Sequence, residues 1–102
     1  VADSKIYYPK TVLGETGDGF SWAKTGRVVY CAFSKNGVTA AADAKIVDIP
    51  SGYDPIFNTS TLDTLHNGDY RIGFSKDTHT VYALTALTNV NIRGSITYIS
   101  NE

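Results

Sequence analysis

Two arginines and a handful of aromatic rings are the residues of this chain best suited to meet a ligand. Arg71 and Arg93 each fall on the polar parity of an alternating segment, in YRIGF and in NVNIRGSITYIS, so both guanidinium groups are expected to point outward. A guanidinium is a planar fork of donors that pairs with neighbouring hydroxyls, carboxylates or phosphates. An aromatic ring can cover the apolar C–H face of a pyranose. Of the rings, Tyr30, Phe33, Phe74 and Tyr98 sit at apolar positions and are expected in a core. Trp22, Tyr53 and Tyr82 are left to be either core or contact. Gly94, next to Arg93, is read as making room for whatever the guanidinium touches.

Other chemistries find less support. Glycoside hydrolysis needs two carboxylates across a cleft, roughly 5 to 10 Å apart. The acids Asp18, Asp43, Asp48, Asp54, Asp69 and Asp77 fall mostly in turns, where Asp bonds to its own backbone. His66 and His79 lie in no nucleophile motif and have no metal ligand at the usual spacing. Glu15 and Asp18 lack the dense alternation of acids in a calcium loop. Asn58-Thr59-Ser60 matches a glycosylation sequon, a pattern frequent by chance. The glycine-rich stretch LGETGDG is followed by a strand pattern, whereas phosphate cradles open a helix. No cofactor or metal is implied, and an enzyme is not expected.

The elements that would position these residues are short strands. Phe20–Ala23 precedes the turn Lys24-Thr25-Gly26, and RVVYCAFS then places Val29, Cys31 and Phe33 on one face and Val28, Tyr30 and Ala32 on the other. Such a strand is expected to be covered on both sides. Asn36-Gly37 signals a turn, and the alanine-rich 38–42 is too short for a stable helix. KIVDI is a strand stopped by Pro50, SGYDP a corner, and Ile56–Leu62 another extended piece. Tyr70, Ile72 and Phe74 are expected inward, with Arg71, Gly73 and Ser75 outward. Lys76-Asp77-Thr78 turns into His79–Leu84, and the last alternating segment closes the sheet with Ile92, Gly94, Ile96 and Tyr98 on its apolar parity. Seven or eight strands near ten residues apart predict an all-β antiparallel barrel or sandwich.

Composition is compatible with one domain. The chain has 102 residues, a net charge of -1 with no basic run, and one cysteine, Cys31, so nucleic acid is not expected as a partner and an internal disulfide is excluded. No apolar run approaches the roughly 20 residues of a membrane helix, so helical insertion into a bilayer is not expected. Residues 1–12 read as an arm or linker with the edge-strand candidate KIYYP, and residues 13–102 as the domain. The absence of methionine fits a module of a longer protein.

The order FSWAKTGRVVYCAFS, IPSGYDP, YRIGFSKDTHTVYA and IRGSITYIS resembles, over about residues 20–99, the C-terminal head domain of receptor-binding proteins from phages of lactococci, streptococci and related Gram-positive bacteria. Its most specific pieces are P-x-G-Y-x-P at Pro50–Pro55 and R-G-x-x-x-Y-I at Arg93–Ile99. The resemblance implies a compact β-barrel head, homotrimeric at the tip of a tail fibre or baseplate, that binds host cell-wall polysaccharide without cutting it. It implies attachment to the rest of the fibre through the N-terminus. Residue by residue, Arg93 matches the arginine of the sugar site and Tyr82 its aromatic. The histidine and aspartate of that site fall near Arg71 and Gly73, so Arg71 supplies donors there or the site has moved toward His66 and Asp69. Trp22 completes the candidate set. The alternative is a trimerisation or tip-capping module with no ligand of its own.

Overall fold

The computed structural model of the chain describes residues 10–14, 17–66 and 68–102. Its strands are β1 (Thr11–Leu13), β2 (Phe20–Thr25), β3 (Val28–Ala40), β4 (Lys45–Asp48), β5 (Thr59–Leu62), β6 (Arg71–Ser75), β7 (Thr80–Ala83) and β8 (Leu87–Ile99). They form two antiparallel sheets, sheet A in the order β1-β2-β3-β8 and sheet B in the order β4-β7-β6-β5. The KIYYP edge strand lies outside the described residues. The expected all-β architecture is present, as a sandwich and not a closed barrel.

Alternation explains which faces meet. Phe20, Trp22, Val29, Cys31, Phe33, Ile92 and Tyr98 project from sheet A onto Ile72, Phe74, Val81 and Ala83 of sheet B. Rings knit the two layers together. Phe20 stacks on Phe33 at 5.2 Å, Trp22 meets Phe74 edge-on at 6.0 Å across the sandwich, and Tyr98 tilts against Phe74 at 5.9 Å. Each buried large side chain stabilises the fold by about 1.5–3 kcal/mol relative to exposure. Burial also raises the Cys31 thiol to about 12, which keeps it a packing residue.

Three expectations change. First, Asn36-Gly37 does not turn the chain, because β8 runs alongside β3 for the whole of its length. The pair instead forms a bulge: Lys35 to Val38 spans three steps against two from Ile92 to Val90, with Gly37 at φ +64° and its N–H donating to Asn91 Oδ1 at 3.0 Å. A compensating bulge on β8 has Asn89 at φ +48°. Second, the described residues cover β3 on one side only. Val28 is 43% and Tyr30 49% exposed, so Tyr30 is not core. Third, Gly94 serves the core and not Arg93. A Cβ there would lie 2.8 Å from Phe33 Cζ, so the glycine admits the Phe33 ring opposite it.

The edge of β8 remote from β3 is closed by the segment 55–64. Ile56 N–H donates to Ile99 O at 2.9 Å, Thr61 Oγ1 to Ser95 O at 3.2 Å, and Thr64 N–H to Arg93 O at 2.8 Å. The Asp63 carboxylate completes the seam by accepting the Arg93 N–H at 2.8 Å. Among the described residues no ladder joins the opposite edges, β1 and β4, and for that reason the sheets do not close into a barrel.

Candidate functional site

Tyr82 occupies the middle of sheet B's outer face, between Gly73 of β6 and Lys45 of β4. A Cβ built on Gly73 would fall 2.4–2.8 Å from Tyr82 Cζ, Cε1 and Oη. The ring therefore lies down over the glycine and stays partly exposed. Gly73 is outward as expected but buried, because this ring covers it. Ser75, also outward, is buried at the hairpin, where its Oγ accepts the N–H groups of Asp77 and Thr78 at 3.2 Å each.

Beside the ring runs a groove of about 310 Å³ lined by Asp43, Lys45, Ser75, Thr78, Thr80 and Tyr82. It offers a phenol ring, three aliphatic hydroxyl side chains, an ammonium and a carboxylate. Lys45 Nζ sits 3.2 Å from Asp48 Oδ1, an exposed pair that contributes little to stability but holds a donor near the groove. Asp43 is turned outward by a left-handed backbone at φ +68°. On the other side of Gly73, Arg71 is exposed and donates from Nη1 to Ser60 Oγ at 2.9 Å. Arg71 and Tyr82 thus share one face, a flat ring with a steadied guanidinium along the same strands.

Arg93 is exposed as expected, but it belongs to the other sheet, with β5 and β6 between it and Tyr82. Its Nε donates to Ser34 Oγ at 3.3 Å. His66 and Asp69 are not brought to the Tyr82 groove. His66 is half-buried, pairs through Nδ1 with the Asp63 carboxylate and takes Tyr70 edge-on at 4.9 Å. Asp69 is exposed and donates its N–H to His66 O at 2.9 Å. Trp22 is 4% exposed, because its inward parity on β2 sends it between Tyr53 and Phe74, so its ring belongs to the core. Tyr53, in the loop between β4 and β5, is core as well, packed edge-on against Trp22 at 6.4 Å.

Sequence reasoning missed Asp63, whose carboxylate is buried. Burial pushes its pKa up, but hydrogen bonds from the Arg93 N–H, the His66 ring and the Leu65 N–H outweigh this and hold it below the usual Asp value. The one local signal was a histidine three residues on. A second pair, His79 Nδ1 with Asp54 Oδ2 at 2.6 Å, lines a cavity of about 350 Å³ with Ser51, Gly52 and Glu102. Among the described residues no three His, Cys, Asp or Glu side chains converge as a metal site would require.

No family model, no curated protein and no solved structure matches this chain.

Proposed function

We propose that this domain is the receptor-binding head of a phage tail fibre or baseplate tip, which attaches the virion to a polysaccharide of the host cell surface without cleaving it. The observation that carries the reading is the Tyr82 ring laid over Gly73, with the groove of Asp43, Lys45, Thr78 and Thr80 on one side and Arg71 on the other. A flat, partly exposed ring stacks on a pyranose, and the hydroxyls and charged groups beside it pair with sugar hydroxyls. Arg93, on the strand beyond β5, is a second contact for a longer glycan. A single open groove of this kind binds weakly. Three copies on one tip and several tips on one virion raise the effective concentration enough for stable adsorption.

The test uses labelled protein on a panel of lactococcal and streptococcal strains, with extracted polysaccharide as competitor. The chain is expected to decorate at least one strain and to be displaced by that strain's glycan. Tyr82→Ala is expected to weaken binding about tenfold, the roughly 1.4 kcal/mol of one ring contact, with little change in melting temperature. Unchanged binding by Tyr82→Ala would rule out this face, and release of reducing sugar would rule out a purely binding role.

A further inference from the structure

The outer face of sheet A differs in kind from that of sheet B. Among the described residues Arg93 alone of the outward side chains on its four strands is charged, and it sits midway along β8. The rest of the face is serine, threonine and apolar side chains, with Asn36 and Asn91 beyond Arg93. Leu13 is 78% exposed, Tyr30 49%, Ile99 47% and Val28 43%. By register Leu13, Ala23 and Tyr30 form one row across β1, β2 and β3, and Val28 and Ile99 are paired on β3 and β8. The four large side chains alone present on the order of 450 Å², which is what the largest apolar patch of a typical monomer exposes in total.

We infer that this face packs against a second copy of the same chain. Three features select that occupant. The face carries almost no charge, so a basic or acidic partner finds nothing to pair with, whereas two copies meet without like charges opposed. Its relief holds both knob and hole. Ala23, with Ser21 and Ala32 in the next row, leaves a trough of about 300 Å³ between the protruding Leu13 and Tyr30, as a self-complementary contact requires. With the intervening serines and threonines the face offers on the order of 800 Å², one partner's share of a standard interface. The inference supplies a contact for the assembly proposed above and is independent of the Tyr82 groove, which lies on the opposite face; Arg93 alone belongs to both readings.

Native mass spectrometry and sedimentation of the full chain at about 100 µM test it. A multiple of the 11.0 kDa chain mass is expected. Tyr30→Lys and Leu13→Lys place charges on exposed positions, and each is expected to shift the mass to a monomer with the far-UV spectrum unchanged. Tyr82→Ala, on the other sheet, is expected to leave the mass as it is. Three chains would support the threefold tip as well; two chains would support this face and remove the threefold part of the proposed function. A wild-type monomer at that concentration overturns the inference, as does an oligomer that both lysine variants retain. A monomer that binds neutral phosphatidylcholine vesicles through Leu13 and Tyr30 would overturn it in favour of a lipid surface.

Discussion

Replacing Asp63 with alanine tests how the two sheets are held together beside β8. The carboxylate is 2% exposed and gathers three donors: the Arg93 N–H, the His66 ring and the Leu65 N–H. A hydrogen bond to a charged group contributes about 1.5–3 kcal/mol, and a donor left unpaired costs about as much again. His66 is half-buried and can turn to water, and the losses are not additive, so Asp63→Ala is expected to cost on the order of 2–4 kcal/mol. For a chain of this size that is a fall of roughly 10–25 °C in melting temperature. Asp63→Asn keeps an acceptor for Arg93 and is expected to cost about 1 kcal/mol. Denaturant titration gives the energies, and hydrogen exchange at the Arg93 amide reports the seam itself, because its protection should collapse in the alanine variant. A loss below about 0.5 kcal/mol with the Arg93 amide still protected would refute the seam.

The same group sets a pH dependence. Because the folded pKa of Asp63 lies below its unfolded value, the stabilisation is complete above the ordinary aspartate range and is lost as the pH falls through the folded pKa. The stability difference between wild type and Asp63→Asn should therefore stay constant near neutrality and shrink only in acid, below about pH 4. A difference that grew on acidification would contradict the sign.

Two glycines give further predictions. Gly73→Ala places a methyl group where the Tyr82 ring now lies, and a ring tip moves easily, so stability should change by less than about 1 kcal/mol. The lifted ring should nevertheless weaken glycan binding several-fold in the cell-decoration assay, and equal binding would show that the flat ring is not the platform. Gly94→Ala pushes a methyl group against Phe33 Cζ at 2.8 Å and Leu62 O at 3.3 Å, between a packed ring and fixed backbone. It should cost about 1–3 kcal/mol in a thermal melt, and a neutral result would mean that the Phe33 pocket is looser than its contacts imply.

Both candidate arginines were legible as outward residues, because parity along a strand is local and needs no knowledge of the partner. Tyr82 was legible as a candidate ring, but its posture depends on the glycine directly across the hairpin. Asp63 was legible only through the histidine three residues on. Its partner is the backbone of Arg93, thirty positions away, and backbone groups leave no mark in the sequence. Trp22 misled because nothing within β2 says how far its inward ring reaches toward Phe74.

Alternation alone determined that this chain makes strands, and it determined which side of β6 and β8 turns inward, since a period of two leaves each of these segments one apolar face to bury. Tertiary structure decided what each outer face meets. Val28 and Tyr30 read as buried, yet no described element lies over them, because coverage depends on layers contributed from elsewhere in the chain or from other chains. It also decided that Asn36-Gly37 bulges instead of turning. A turn motif specifies only that the backbone can adopt a left-handed residue, and the long partner strand β8 determines whether the chain then reverses or runs on.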